Sequence, residues 1–158
     1  MILTDEAIKA MQEKVKLYPR RKSAILPALT IAYRQVGHLS DEIYQEISRA
    51  TKIPYVEIAE AATFYTMFPK APRGRYLIQV CHNISCALLG ADNLISYLEE
   101  KLDIRKGETT PDNLFTLVSV ECLGACATAP MMQINNDYYE NLTRERVDTI
   151  LEDLRARV

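Results

Sequence analysis

Four cysteines fall in two short pairs, Cys81 with Cys86 and Cys122 with Cys126, and no other feature constrains this 158-residue chain as much. The pattern is C-x4-C, a long gap, then C-x3-C. Each pair follows a β-type run: residues 76–80 (YLIQV) deliver Cys81, and residues 114–120 (LFTLVSV) end beside Cys122. Both pairs are therefore expected on loops at the same edge of a sheet. A two-iron, two-sulfur cluster takes four thiolates as two pairs, one pair per iron, and neighbouring loops can deliver that geometry. Gly124 permits a tight turn that lets backbone N–H groups approach sulfur. Such donors, with burial and local charge, set a reduction potential.

Three other uses of the cysteines stay open at this level. A structural zinc site also takes four cysteines, but its paired ligands are usually two residues apart. Thiol–disulfide exchange normally uses C-x-x-C near a helix start, and the chain has none. Buried cysteines can also serve as small apolar side chains. That reading must explain why all four cluster in two loops beside Gly, Asn and Ser.

Composition narrows the class. Hydrophobic residues make up 48% and charged residues 25%, ordinary for a globular protein. The net charge is −2, without the basic excess of a nucleic-acid binder. The one basic run, Pro19-Arg20-Arg21-Lys22, reads as a solvated loop. No apolar run approaches the ~20 residues of a membrane span. The start, MILTDE, carries acidic residues where a secretory signal is basic and then apolar. The expectation is a cytoplasmic protein that meets a membrane only through a partner, and reduced thiols suit that compartment.

Along the chain the pattern changes once. Thr4 is a candidate N-cap, with Asp5 and Glu6 in the first turn and Ile8, Met11 and Val15 at helical spacing. Ser23 is a candidate cap for a second helix, with Pro27 in its first turn, a stripe of Ile25, Leu29, Ala32 and Val36, and Gly37 as C-cap. Ser40 starts a third, with Ile43, Ile47 and Ala50 inward. Pro54 starts a fourth, which carries Ile58, Ala59, Ala62 and Tyr65 and closes at Phe68-Pro69. Short connections imply an antiparallel bundle. The Pro/Gly-rich stretch 69–74 is the expected boundary, giving a helical bundle over 1–72 and a second domain over 73–158.

Beyond the boundary, residues 91–102 read as a helix and residues 131–135 and 138–141 as a hairpin about Asn136-Asp137. Residues 143–157 read as a terminal helix. The class is α+β: a helical bundle, then a small sheet backed by two helices in the order β-α-β-β-α. Of the adjacent Tyr138 and Tyr139, one must face outward. Phe64, Tyr65, Met67 and Phe68 exceed the needs of a minimal bundle core and suit either packing or a partner interface.

The segments VCHNISC (80–86) and ECLGACATAPM (121–131) resemble the thioredoxin-like two-iron ferredoxins. The leader segments YRQVGHL (33–39) and EAATFYTMF (60–68) are similar to those of the small flavin-side subunits of NADH:quinone oxidoreductases, so the resemblance spans essentially the whole chain. It implies a thioredoxin-like fold for 73–158 and a [2Fe-2S] cluster held by Cys81, Cys86, Cys122 and Cys126. It further implies single-electron exchange with FMN on an NADH-binding flavoprotein partner within respiratory complex I, peripheral to the inner membrane. Diaphorase subunits of NAD-linked hydrogenases and formate dehydrogenases share the module. No G-x-G-x-x-G follows a strand, so NADH and FMN are expected on the partner. The resemblance also implies a cis bond at Pro130. His82 is expected beside the site rather than as a ligand, because four cysteines complete the set.

Overall fold

The computed structural model describes residues 2–157 and divides into two compact units, Met1–Pro72 and Arg73–Val158.

Among the described residues the first unit holds four α-helices: α1 (Asp5–Lys16), α2 (Ile25–Val36), α3 (Asp41–Thr51) and α4 (Tyr55–Phe64). The Thr4 hydroxyl accepts the Ala7 N–H and begins α1, whose acidic first turn faces the positive end of the helix dipole. Gly37 closes α2 in the left-handed region at φ 80°, where glycine carries no Cβ penalty. Met11, Ile25, Leu29, Ile43, Ile47 and Ile58 form the core. The segment before α1 is fastened from two sides. Glu46 on α3 accepts the N–H groups of Ile2 and Leu3 at 2.7 and 2.9 Å, and Gln35 on α2 donates to the Ile2 carbonyl oxygen at 3.0 Å.

Three local expectations change. Ser23 caps nothing: it lies in a 3-10 turn, Arg21–Ala24, that runs directly into α2, so the turn itself supplies the helix entry. Arg21 and Lys22 are exposed on that turn. Ser40 stands at the N-cap of α3, but its hydroxyl donates to Glu42 instead of accepting a backbone N–H. Helix α4 stops at Phe64, short of Phe68-Pro69, because Tyr65 adopts an extended backbone. Phe68 then turns inward and packs edge-on against Tyr33, while Phe64 (76% exposed) and Met67 stay outside.

The second unit is a four-stranded sheet in the order β2-β1-β3-β4, with β1 Tyr76–Cys81, β2 Phe115–Val120, β3 Met132–Ile134 and β4 Asp137–Tyr139. Strands β1 and β2 are parallel; β3 runs antiparallel to both β1 and β4. A parallel pair needs a crossover connection, and here it contains α5 (Ile84–Leu88) and α6 (Ala91–Leu102). The closing helix is α7 (Arg144–Ala156), capped by Thr143. Leu94 and Leu98 of α6 and Val147 and Leu151 of α7 share one core with Ile78, Phe115 and Leu117. The order is thus β-α-α-β-β-β-α: both hairpin strands join the sheet, and the short α5 is additional.

The hairpin turn is Asn135-Asn136, one residue earlier than Asn136-Asp137, since Ile134 pairs with Asp137. Asn135 takes φ 54°, which asparagine tolerates, and its side chain accepts the Leu77 N–H and donates to the Arg75 carbonyl oxygen. Those bonds tie the turn to β1 and fix its position.

Candidate metal centre

Strand β1 ends at Cys81, which is clamped between both neighbours. Its N–H donates to Met131 O at 3.2 Å, and the next N–H, of His82, donates to Val120 O at 3.1 Å. Asn83 then begins α5; its carbonyl accepts the Ala87 N–H at 2.9 Å, and the helix carries Cys86. Cys81 and Cys86 are both buried with Ala91 and Met131. The first cysteine pair therefore bridges a strand end and a short helix, where only a loop was expected.

The second pair lies on the segment after β2. Gly124 takes φ 86°, and its N–H donates to Cys122 Sγ at 3.4 Å. Cys126 opens a 3-10 turn, Cys126–Thr128, and its sulfur stands 3.6 Å from that of Cys122. Two thiolates on one tetrahedral metal at about 2.3 Å would be roughly 3.8 Å apart, so this pair is already spaced for one ion. Both thiols are exposed, and all four cysteines are free. The sulfurs gather as two pairs; among the described residues, no three His, Cys, Asp or Glu side chains surround a single point. The Ala129–Pro130 bond between this turn and β3 is cis, as the resemblance implied.

The thiols differ in acidity. Burial pushes Cys81 up, but the N–H groups of Asn83 and Leu123 and the Cys86 thiol more than offset it, so its pKa lies below the ordinary value. Burial and the bond to Cys81 push Cys86 up to about 11. Cys126 is raised chiefly by its bond to Cys122, with Ser85 pulling the other way. The pair on the first loop thus comprises one thiol disposed to ionise and one that resists it until a metal supplies the charge.

Two contacts organise the surroundings, and pattern reading reached neither. Asn83 Nδ2 donates to Glu121 Oε2 at 2.7 Å, joining the first cysteine loop to the residue before Cys122. His82 stands on the same carboxylate at 3.7 Å. From β4, the Tyr138 hydroxyl donates to the Leu123 carbonyl oxygen at 2.8 Å. Strand alternation says only that one of Tyr138 and Tyr139 faces outward. The structure shows the outward one, half exposed, lying on the Cys122–Cys126 segment while Tyr139 packs on the core. On α5, Ile84 and Leu88 (82% exposed) leave apolar surface beside Cys86.

The chain matches the model of the thioredoxin-like [2Fe-2S] ferredoxin family over residues 11–155. It is 50% identical to an NADH-quinone oxidoreductase E-subunit, the second of that type, from Rhizobium meliloti (strain 1021), over 88% of this chain and 83% of that protein. It is 46% identical to the NADH-quinone oxidoreductase E-subunit of Rickettsia prowazekii (strain Madrid E), over 87% of this chain and 80% of that one. Among solved structures, it is similar to a chain of an NAD+-reducing [NiFe]-hydrogenase in the H2-reduced state. That match has a TM-score of 0.70 at 27% identity, over 82% of this chain and 22% of the longer hydrogenase chain.

Proposed function

This chain belongs to the thioredoxin-like [2Fe-2S] ferredoxin family, and from that membership we propose that it is the small [2Fe-2S] subunit of an NADH-quinone oxidoreductase. The observation that carries the reading is the delivery of four free thiols, as two close pairs, to one end of a sheet. The donor set fits the group: two-iron clusters take cysteine thiolates in pairs. Cys81 and Cys86 would hold one iron, Cys122 and Cys126 the other. When bound, the cluster supplies one-electron storage and transfer.

The chain's own residues do the rest. Burial around Cys81, Cys86 and Met131 keeps water from one side, and the Gly124 N–H directs a dipole at Cys122 sulfur. Such contacts tune a cluster without joining it. In this reading NADH and FMN belong to a flavoprotein partner, and the chain exchanges single electrons with that flavin. The apolar surface of Ile84 and Leu88 beside the cysteines suits a protein that works inside a complex. Among the described residues no helix is long and apolar enough to cross a membrane, so membrane association would come through other subunits.

A second reading, a diaphorase component of an NAD-linked hydrogenase, draws on the likeness to the hydrogenase chain. The 50% and 46% identities to oxidoreductase subunits favour the first reading. A four-cysteine zinc module would need all four sulfurs about one ion, and the paired arrangement speaks for iron instead.

Anaerobic purification tests the proposal. The protein should be red-brown with about two irons and two sulfides per chain and give a paramagnetic signal on reduction. NADH should reduce it only when the flavin-bearing partner is present. One zinc without visible absorbance would overturn the reading, as would NADH oxidation by the chain alone.

A further inference from the structure

The Leu123–Gly124 peptide group is bonded at both ends. Its carbonyl oxygen accepts the Tyr138 hydroxyl at 2.8 Å, and its N–H donates to Cys122 Sγ at 3.4 Å. We propose that Tyr138 is a positioning residue that sets the reduction potential of the cluster by holding this one peptide plane against the Cys122 sulfur. The inference rests on Cys122 being a cluster ligand.

A peptide unit is rigid and planar, with its C=O and N–H pointing in opposite directions. Fixing the oxygen therefore fixes where the N–H points. The constraint has something to act on, because Gly124 sits at φ 86° in the left-handed region, and beyond its two chain neighbours nothing lies within 4 Å of a Cβ built on it. Neighbouring side chains therefore do not wedge the backbone there, and glycine is the residue most free to rotate. Strand β4, in turn, is held to β3 by the pairs Met132 with Tyr139 and Gln133 with Tyr138. The hydroxyl thus reaches the flexible turn from a framework of fixed register. Hydrogen bonds in series also polarise one another, so donation to the oxygen strengthens the N–H as a donor to sulfur.

Sign follows from charge. Reduction adds an electron to the cluster and makes its sulfur ligands more negative. An N–H dipole aimed at sulfur favours that reduced form and raises the potential. Loss of the hydroxyl lets the peptide turn and should lower it.

The experiment compares the full-length protein with Y138F and with Y139F, all loaded with the cluster. Midpoint potentials come from redox titration followed by electron paramagnetic resonance. Coupling of the Gly124 amide nitrogen to the reduced cluster comes from pulsed measurements on protein labelled with 15N-glycine. Tyr138 is half exposed, so Y138F removes one oxygen without opening a core. The expected result is a roughly threefold smaller reduction equilibrium constant, or about 28 mV downward at about 59 mV per tenfold for one electron. The glycine nitrogen coupling should weaken, and Y139F should leave both quantities in place. A purely structural tyrosine would change cluster retention but neither potential nor coupling. If Y138F holds a full cluster at the unchanged potential, the inference falls while the cluster assignment stands. If the unsubstituted protein shows no two-iron signal, the assignment itself fails, and the inference with it.

Discussion

Asn83 and Glu121 tie the two cysteine loops together: the Asn83 side-chain amide donates to Glu121 Oε2 at 2.7 Å, across 38 positions of sequence. The bond holds an acidic residue immediately before Cys122, where its charge opposes negative charge at Cys81. Removing that charge while keeping the side chain's shape should favour the reduced cluster. E121Q is therefore expected to raise the midpoint potential. An exposed charge pair is worth about 0.2–1 kcal/mol, which corresponds to roughly 10–40 mV for one electron. Redox titration of E121Q beside the unsubstituted protein checks both sign and size.

In the cluster-free protein the two cysteine pairs should react in order. Cys122 and Cys126 are exposed, whereas Cys81 and Cys86 are buried. The thiolate is the nucleophile, and Cys86 is held to a pKa of about 11. Cys86 should therefore stay largely protonated where an ordinary thiol has begun to ionise, and its reactivity should climb only at more alkaline pH. Timed alkylation followed by peptide mass mapping should show Cys122 and Cys126 modified first, because burial withholds Cys81 although its thiol ionises more readily than usual and that of Cys126 less readily. Labelling of Cys86 ahead of both would contradict the burial of the first pair.

These contacts also show how far the residues speak for themselves. The cysteine spacing, the two runs that end beside cysteines, and the helix over residues 91–102 have local signatures: apolar periodicity, caps and turn formers. Helix α5 has only a cap, Asn83, whose side-chain oxygen accepts the Ile84 N–H at 2.9 Å while its carbonyl accepts the Ala87 N–H, since five residues give too little period to read. The turn lies at Asn135-Asn136 because bonds from Asn135 to Leu77 and Arg75 choose between two equally good turn pairs. Tyr138 reaching Leu123 and Asn83 reaching Glu121 depend on strand register and loop approach, which no local pattern encodes.

Gly74 illustrates a residue whose role lies in close approach. It is legible as part of the Pro/Gly boundary, but a Cβ there would come within 2.9 Å of backbone atoms of Leu114 and Phe115. Its N–H also donates to Thr116 Oγ1 at 2.6 Å. Backbone at the entry to β2 has little room to shift, so G74A should overpack the sheet edge. Such overpacking typically costs about 1–3 kcal/mol. Urea unfolding of the cluster-loaded protein should show a lower midpoint with an unchanged slope.

Glu46 should make the first unit sensitive to acid. Burial pushes its carboxyl up, but the N–H groups of Leu3 and Ile2 more than offset this and hold its pKa below the ordinary value. A carboxyl lowered in the folded state contributes stability that is fully present above its unfolded pKa of about 4.3. That contribution is lost as pH falls through the lower folded value. E46A leaves two backbone donors without their carboxylate, at a cost of roughly 1–3 kcal/mol. E46Q should flatten the acid limb of the stability profile below about pH 4.3. Thermal melts across pH 3–7 of the three proteins test this, and a Gln variant with the full acid dependence would assign that dependence elsewhere.

Deleting residues 1–72 should leave a fragment, 73–158, that folds and carries the cluster but binds its flavoprotein partner more weakly. All four cysteines and all four strands lie in this segment, and its core from Ile78 to Leu154 is assembled from its own residues. Cluster binding adds to its stability, because metal-binding free energy is also folding free energy. The leader contributes none of the cysteines; what it does present is exposed Phe64, Met67 and Val56, side chains suited to contact with another protein. Iron and sulfide content, the paramagnetic signal and a binding titration with the flavin-bearing partner measure the three parts separately. A fragment that precipitates without its cluster would show that the leader is needed to keep the chain in solution. A fragment that binds the partner as tightly as the full chain would assign docking to the cluster-bearing unit alone.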